Sequence, residues 1–515
     1  MLPPFHNEPI LTFSDPADRS SMEAAISLVR SQLNRDYPLR IGDEQLTTGE
    51  WIVSVNPADP AEIVGRTASA NGDLARRAIE AAHRAFPAWS HTPPESRARC
   101  ILKAAHIIRR RRFEFAAWLV FEASKSWQEA YADMAEVIDF LEFYGREMIR
   151  LGGMHPTTPW AGEENGVVYI PLGVGVVISP WNFPLAIMGG MTAAAIVTGN
   201  TVVVKPASQA PIVAAKFCEV LSEAGVPPGV VNFLPGPGSQ VGDLLVDDAK
   251  TRFIAFTGSK EVGVRIFSRA AVVHPGQKWL KRTILEMGGK DAIIVDETAD
   301  LESAADGIVA SAFGFQGQKC SACSRLIAVR SIVDPLVAMV ADRTRALRIG
   351  DPAQYGVDLG AVIEAGAQRK IQNYIAAGRN EGNTVLADLP VPERGYYVSP
   401  TIIGGVSADA TIAQEEIFGP VLAVVPADTF DDALAIANGT EYGLTGALYS
   451  QDRSRLEQAR REFHVGNLYL NRKCTGALVD VQPFGGFNMS GTDSKAGGRD
   501  YLQLFMQGKS ITERF

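Results

Sequence analysis

Hydrophobic residues recur at helical spacing in the first third of the chain. One amphipathic helix is predicted by five apolar residues spaced three or four apart: Ala75, Ala78, Ile79, Ala82 and Phe86. The same periodicity predicts helices over residues 101–112 and 134–149. Residues 1–45, which lack a sustained pattern, are interpreted as an N-terminal arm with short helices.

A different pattern begins near Gly173, where short β-branched runs alternate with helical segments. The predicted strands are Gly175–Ser179, Thr201–Lys205, Val230–Leu234 and Arg252–Phe256. The predicted helices between them are Leu185–Val197, Ile212–Ala224 and Val241–Val246. This alternation predicts a parallel sheet with right-handed crossovers, whose ligands bind at the carboxyl ends of the strands.

A second α/β unit is predicted after residue 286. It starts with the strand Ala292–Asp296 and the helix Leu301–Ala312 and extends to about residue 470. The length of 515 residues also favours more than one domain, because single cores stop growing at about 250–300 residues. The net charge of −9 argues against nucleic acid as a partner.

Several classes of protein are disfavoured by the rest of the composition. The five cysteines are few and odd in number, which favours a reducing, cytoplasmic compartment over a disulfide framework. The seven histidines show no metal-ligand spacing, so we predict no metal site. The apolar stretch Leu185–Gly199 is shorter than the ~20 residues of a membrane span and is interpreted as a buried helix.

Cys320 is the first candidate for chemistry, in the segment FQGQKCSAC. An isolated cysteine is more often a small buried apolar residue than a nucleophile. The neighbouring glycines and glutamines indicate a loop, and the adjacent Lys319 is expected to favour the thiolate, which is the reacting form. Cys323, three residues later, leaves a redox or metal-binding interpretation open.

Two further side chains have positions that suit catalysis. Glu286 ends an apolar strand before two glycines, where it could act as a general base or only as a salt-bridged or capping carboxylate. Asn182, in the segment SPWNFP, follows a strand end, where its amide could stabilise an oxyanion or simply form a turn.

Candidate cofactor contacts lie at other strand ends. Lys205 could bond ribose hydroxyls, and Gly258 and Ser259 form a strand-to-helix turn whose free amides could bind phosphate. No GxGxxG fingerprint is present. The segments Glu415–Pro420 and Gln482–Gly491 add an acidic pair and a glycine-rich loop, either of which could be a plain turn.

Together these segments resemble the aldehyde dehydrogenase superfamily, over roughly residues 50–515. The motifs that carry the resemblance occur in family order: PWNFP, KPA, FTGS, EMGGK, GQKC, EEIFGP and PFGGFNMSG. Within the superfamily, the chain resembles the 1-pyrroline-5-carboxylate dehydrogenase family most closely at Phe5–Pro9, Phe313–Arg325, His464–Lys473, Thr475–Ala477 and Ser490–Gly498.

The resemblance implies a reaction and a catalytic set. Cys320 would be the nucleophile, Glu286 the base for thioester hydrolysis, and Asn182 with the Cys320 amide the oxyanion hole. The reaction would be oxidation of L-glutamate γ-semialdehyde, the open form of pyrroline-5-carboxylate, to L-glutamate, the second step of proline catabolism. Alternatives are another semialdehyde such as succinate semialdehyde, a catalytically silent cofactor-binding protein, or a cysteine hydrolase.

The resemblance also implies which residues bind the cofactor and the substrate. NAD is the expected cofactor, and NADP is left open because Ser208 stands where many NAD-specific members carry Glu. Lys205 would contact the adenosine ribose and Glu416 the nicotinamide ribose. The full cofactor set is Ser179, Pro180, Trp181, Lys205, Ala207, Ser208, Gly238, Gly258, Ser259, Val262, Gly288, Glu416 and Phe418. The substrate set is Glu136, Phe183, Lys319, Ser321, Gly476, Ala477 and Phe484.

The implied fold is α/β, with a Rossmann-type cofactor domain, an α/β catalytic domain and a small β oligomerisation extension. After the arm at 1–45, the cofactor domain would comprise 46–150 and 173–286, the catalytic domain 287–480, and the extension with the C-terminal loop 151–172 and 481–515. Gly166–Leu172 and Gln507–Phe515 are predicted exposed strands that need partners. A homo-oligomer of at least two subunits is therefore expected, and a separate proline dehydrogenase is a candidate partner.

Overall fold

A computed structural model describes residues 3–515. Its first large sheet has seven strands. In the spatial order, the first five are parallel, and each of the last two is antiparallel to the strand before it. Their spatial order is Arg282–Glu286, Thr251–Thr257, Val174–Ile178, Thr201–Lys205, Val231–Phe233, Leu39–Ile41 and Glu44–Leu46. All four predicted strands of this unit are present, and Thr201–Lys205 has the predicted bounds.

Helices cover both faces of this sheet. Those that alternate with its strands, or precede them, are Gly72–Ser90, Ala186–Val197, Pro211–Ala224, Asp243–Asp247 and Lys260–Ala270. A further helical layer contains Pro16–Arg30, Pro94–Arg110, Arg112–Ala123 and Trp127–Leu151. Successive side chains of a strand point to opposite faces, so Val176 and Val177 enter different apolar clusters. Gly175 precedes them, and glycine is required there because a Cβ would come within 2.0 Å of the Phe253 ring.

The N-terminal arm differs from the prediction. Residues 1–45 do not contain several short helices: within the described residues they form one helix of 15 residues, Pro16–Arg30, and then turn into strands. Leu39 and Ile41 are buried with Arg40 partly exposed between them, which is the alternation of a strand. The predicted boundary after residue 45 falls inside the strand Glu44–Leu46 of the first sheet.

The second large sheet also has seven strands, all parallel except the first in the following order. They are Asn383–Leu386, Thr401–Gly404, Val421–Ala427, Arg325–Val329, Ala292–Val295, Thr445–Tyr449 and Asn467–Leu470. Helices on its two faces are Leu301–Phe313, Val333–Arg345, Ala365–Glu381, Thr411–Gln414, Phe430–Asn438 and Arg453–Glu462. Separate apolar clusters fill its two faces, so the predicted second α/β unit is confirmed.

Three smaller sheets complete the fold. The extension contains Met154–Pro156, Glu163–Pro171 and Met506–Arg514, with the last two antiparallel from Met506 opposite Pro171 to Arg514 opposite Glu163. The two segments predicted to need partners therefore pair with each other. The other small sheets contain Arg35–Tyr37 with Trp51–Asn56 and Asp59–Ala68, and Tyr442–Gly443 with Phe487–Asn488.

The apolar stretch near residue 190 forms the buried helix Ala186–Val197, as predicted. None of the helices between residues 3 and 515 has both the length and the apolar content required to cross a membrane.

Candidate active site

A cavity of about 860 Å³ opens at the carboxyl ends of the first sheet's parallel strands. Asn182 and Cys320 line it together with all thirteen predicted cofactor residues: Ser179, Pro180, Trp181, Lys205, Ala207, Ser208, Gly238, Gly258, Ser259, Val262, Gly288, Glu416 and Phe418. Strand ends and the loop after Glu415 thus both contribute to its lining. The cavity joins a candidate nucleophile to a site of dinucleotide size.

Charged and polar groups in this cavity suit a dinucleotide. Lys205 is buried, its ammonium group donates only to the adjacent Pro206 carbonyl, and burial lowers its pKa to about 8. Ser259 caps the helix Lys260–Ala270 by accepting from the Val262 amide, which leaves other first-turn amides free for an anion. These residues fit the ribose and phosphate groups of NAD.

Glu416 is fixed in the cavity lining by a backbone hydrogen bond. Its Oε1 accepts a hydrogen bond of 3.0 Å from the Gly289 amide. Gly288 permits this approach, since a Cβ there would lie 2.4 Å from Glu416 Oε2. Burial raises the pKa of Glu416. Beside it, the rings of Trp181 and Phe418 meet edge to face with centroids 5.4 Å apart.

Several cavity residues were not identified from the sequence. Asp243, Glu364 and Lys370 line the same space, as does Arg265, which forms an ion pair with Asp243. None of them belongs to a motif at a strand end. Helical charged residues of this kind are usually solvated, so the sequence offered no signal that separated these from other surface residues.

The Cys320 thiol is half-buried in acidic surroundings. Burial raises its pKa, and the nearby carboxyl groups of Asp291, Glu286 and Glu416 raise it further. The expectation that Lys319 favours the Cys320 thiolate is therefore wrong. The Lys319 ammonium lies 2.7 Å from Glu129 Oε1 and is neutralised there.

The loop before Cys320 has an unusual backbone. Phe315 and Gln316 both have positive φ, 51° and 55°, which side chains other than glycine rarely adopt. The Gln316 amide donates to the carbonyls of Ser124 and Ala361, so buried hydrogen bonds hold the loop in place. This rigid loop presents the thiol to the cavity.

Cys323 does not face the cofactor cavity. It is buried, its thiol donates to the Arg325 carbonyl at 3.4 Å, and it is hydrogen-bonded to Cys474. Cys474 in turn donates to the Ser321 carbonyl at 3.4 Å. All five cysteines are free thiols. Cys323 thus packs the loop after the nucleophile against the segment that leads to Gly476.

Asn182 is buried at the start of the turn after the strand Val174–Ile178. Its amide donates to the Gln318 carbonyl at 3.1 Å, two residues before Cys320. A side-chain amide has two N–H donors. Asn182 is thereby oriented toward the nucleophile loop with one donor left for an oxyanion.

Glu286 ends an edge strand of the first sheet and is only 9% exposed. Burial raises its pKa to about 8, although a hydrogen bond from Ser494 and the charge of Lys495 oppose that rise. A carboxyl group with a pKa near the working pH suits a general base. Its charge also influences Cys320, so the two groups share one environment.

None of the seven predicted substrate residues lines the cofactor cavity. Glu136 lies on the helix Trp127–Leu151, and Phe183 follows Asn182 in the same turn. The other five lie outside helices, two of them beside Cys320 in sequence and three after the last strand of the second sheet. Burial raises the pKa of Glu136 to about 8, with Asp133 adding to the effect. Their arrangement around the substrate therefore stays a prediction.

Individual contacts hold these substrate residues in place. Gly476 has φ of 74° and its carbonyl accepts from Arg472, while Ala477 follows it in the same loop. Phe484 exchanges two backbone hydrogen bonds with Ala496. Ser321 accepts from Cys474 through its carbonyl, as described above.

A buried cation lies under Phe183. The Lys125 ammonium is 3.6 Å from the centre of that ring, 4.5 Å from the centre of the Phe315 ring and 2.9 Å from Asp133 Oδ2. Lys125 and Glu129 were both missed by sequence reasoning. The one available signal was helical spacing, since Glu129, Asp133 and Glu136 lie four and three residues apart on one helix.

Comparison with known proteins identifies the family. Residues 45–511 match the sequence profile described as the aldehyde dehydrogenase family. The chain belongs to the aldehyde dehydrogenase family. Its fold is accordingly the α/β aldehyde dehydrogenase fold, in agreement with the predicted fold class.

Relatives within the family are similar over the whole chain. A protein of Geobacillus kaustophilus named 1-pyrroline-5-carboxylate dehydrogenase is 57% identical, with 100% of both chains covered. The structure of the Thermus 1-pyrroline-5-carboxylate dehydrogenase with bound NAD is 52% identical, covers 100% of both chains and has a TM-score of 0.97. A proline utilization A structure from Bdellovibrio bacteriovorus is 44% identical with a TM-score of 0.98, over 99% of this chain and 53% of that one.

Proposed function

We propose that this protein oxidises L-glutamate γ-semialdehyde, the open form of 1-pyrroline-5-carboxylate, to L-glutamate, with NAD as the hydride acceptor. The observation that carries the proposal is the single cavity that unites Cys320, Asn182 and the thirteen predicted cofactor residues. The full-length similarity to 1-pyrroline-5-carboxylate dehydrogenases supports the choice of substrate.

The first half of the reaction forms a thioester. Cys320 loses its proton to water, and the thiolate sulfur attacks the aldehyde carbon, which places a negative charge on the carbonyl oxygen. The free N–H of Asn182 stabilises that oxyanion. Bound NAD supplies a hydride acceptor. When the carbonyl re-forms, the hydride leaves the carbon with its electron pair, and the acyl group remains on Cys320.

The second half hydrolyses the thioester. Glu286 accepts a proton from water, the water oxygen attacks the acyl carbon, and the Cys320 sulfur leaves as a thiolate. Only the ionised carboxylate can accept that proton, so the raised pKa of Glu286 makes this step dependent on pH. The product is a second carboxylate on the substrate, which gives glutamate.

NADH absorbance tests the proposal directly. The wild type should reduce NAD with pyrroline-5-carboxylate at a higher kcat/KM than with succinate semialdehyde or acetaldehyde. Cys320→Ala should lose nearly all of this activity while it still binds NAD. A preference for succinate semialdehyde would support the alternative substrate, and NAD binding without any hydride transfer would support a silent member of the family.

We propose that residues 39–150 and 173–286 form the cofactor domain, which starts earlier than predicted because the strands Leu39–Ile41 and Glu44–Leu46 belong to its sheet. Residues 287–480 would form the catalytic domain, and 151–172 with 481–515 the oligomerisation extension and C-terminal loop. The exposed outer strand Met506–Arg514 supports a homo-oligomer, because an unpaired edge favours association. The free cysteines support a cytoplasmic location.

A proline dehydrogenase is the proposed source of the substrate. This chain aligns with about half of the Bdellovibrio proline utilization A chain. Association with a separate proline dehydrogenase would bring together two activities that act in sequence. Co-sedimentation of the two purified proteins tests this association.

A further inference from the structure

Ser494 is the hydrogen-bond partner of the candidate base. Its hydroxyl donates to Glu286 Oε1, and Ser494 is only 3% exposed. The other carboxyl oxygen, Oε2, is buried and finds no hydrogen-bond partner anywhere in residues 3–515. The two oxygens therefore differ: one is held by the hydroxyl, and the other is free to accept a proton.

The backbone around Ser494 is fixed to the strand that carries Glu286. The Thr492 amide donates to the Leu285 carbonyl at 3.0 Å, and the Thr492 hydroxyl accepts from the Leu285 amide at 2.9 Å. The Met287 amide donates to the Ser490 carbonyl at 2.8 Å. These bonds on both sides of residue 286 set the position of the Ser494 hydroxyl relative to the carboxyl group.

Two glycines leave only enough room for the carboxyl group. A Cβ at Gly485 would lie 2.8 Å from Glu286 Oε1 and 1.7 Å from the Ser494 carbonyl oxygen, and one at Gly491 would lie 3.5 Å from Oε2. The side chain of Glu286 is thus enclosed by the same loop that carries Ser494. Within this enclosure, the Ser494 hydroxyl decides which way the carboxyl group turns.

Charged groups around the base come from several elements. The Lys495 ammonium favours the ionised carboxylate but donates instead to the carbonyls of Gly466 and Gly485. Asp493 favours the neutral form. The charge of Glu286 also raises the pKa values of Cys320 and Tyr501, so both groups lie near it. Among these groups, Ser494 is the one that bonds the carboxyl group itself through a side chain.

We propose that Ser494 is a positioning residue for the base: it holds Oε1, leaves Oε2 to accept the proton of the attacking water, and stabilises the carboxylate form. The inference rests on the proposed function, because it assigns Ser494 to the thioester hydrolysis step. A hydroxyl that donates to a carboxylate favours the ionised form, so its removal disfavours ionisation. Ser494 should therefore act on hydrolysis and leave thioester formation unchanged.

The test measures the two half-reactions separately, at pH values below and above the pKa of Glu286. The burst of NADH after rapid mixing reports thioester formation. Hydrolysis is reported by the decay of the acyl-enzyme, measured by mass spectrometry of samples quenched with acid. For Ser494→Ala we expect an unchanged burst and hydrolysis slowed by about three- to tenfold at neutral pH. The pH at which hydrolysis reaches half its maximal rate, its midpoint, should rise by about half to one pH unit. Ser494→Thr, which keeps the hydroxyl, should restore the wild-type midpoint.

Ser490→Ala is the matched control, since Ser490 lies in the same loop but its hydroxyl bonds the Gly443 amide. It should leave the midpoint of hydrolysis unchanged. The inference is overturned if Ser494→Ala leaves that midpoint unchanged, if it slows both half-reactions equally, or if Ser490→Ala has the same effect. A wild type without Cys320-dependent NADH formation would instead overturn the proposed function, so the two failures are distinguishable.

Discussion

The ammonium group of Lys319 lies 2.7 Å from a carboxylate oxygen of Glu129 rather than on the adjacent Cys320. Although Lys319 is adjacent to Cys320 in sequence, its positive charge is neutralised by Glu129. That partner lies on the helix Trp127–Leu151, 190 positions away. The ion pair holds the pKa of Glu129 below its usual range, although burial alone would raise it. The resting thiol is left with acidic neighbours, which keep it protonated.

Removal of the Glu129 charge should make Cys320 more acidic. In Glu129→Gln the Lys319 cation is no longer neutralised, and a free positive charge nearby favours the thiolate. The rate of Cys320 alkylation by iodoacetamide should therefore reach its midpoint at lower pH, by about one unit or less. Glu114→Gln, which breaks the ion pair with Arg111 on other helices, is the control. A midpoint that stays constant or rises would contradict the role assigned to the ion pair.

Hydrolysis of the thioester should depend on ionisation of Glu286. Its pKa is raised to about 8, so the carboxyl group is mostly neutral at pH 7 and becomes a competent base as the pH rises. The hydrolysis rate should increase through that pH and then level off. Glu286→Gln should show a rapid NADH burst, slow turnover and no such pH dependence. An unchanged steady-state rate in this variant would exclude Glu286 as the base.

Much of this site follows from sequence, because four of its motifs, PWNFP, KPA, FTGS and EMGGK, lie at strand ends. A parallel sheet brings the carboxyl ends of its strands to one edge, so Asn182, Lys205 and Gly258 had to converge once the strands were identified. The contacts of Glu286 with Ser494 and of Lys319 with Glu129 were not predictable in this way. They join segments 208 and 190 residues apart, and local sequence patterns do not indicate contacts between such distant segments.

The N-terminal arm shows a different limit. Its strands have only three residues each, and a run that short does not establish a period. Their place in the first sheet depends on pairing with Val231–Phe233, far along the chain. Tertiary contacts, rather than local preference, decide the structure there.

Ser208 should determine whether NADP is accepted. It lines the cofactor cavity near the predicted ribose ligand Lys205, and its hydroxyl carries no charge that would repel a 2′-phosphate. Ser208→Glu should lower the ratio of kcat/KM for NADP to that for NAD by about tenfold or more, since like charges brought close cost at least ~1.4 kcal/mol. Ser208→Gln adds similar bulk without the charge and should change the ratio much less. A ratio that is the same in all three proteins would show that residue 208 does not contact this part of the cofactor.

Glu122 should contribute strongly to stability without taking part in the reaction. It is fully buried, and its carboxyl oxygens accept from the amides of Ile212 and Val213 and from the Ser54 hydroxyl, at 2.7, 2.8 and 2.9 Å. Glu122→Ala would leave the two buried amides without partners, at about 1–3 kcal/mol each, whereas the Ser54 hydroxyl could still donate to the Gln209 carbonyl. We expect the midpoint of urea unfolding to fall well below that of the wild type. Glu122→Gln, which keeps the shape and one acceptor oxygen, should lose less than half as much. Equal midpoints for the alanine variant and the wild type would mean that water replaces the carboxylate at the start of the helix Pro211–Ala224.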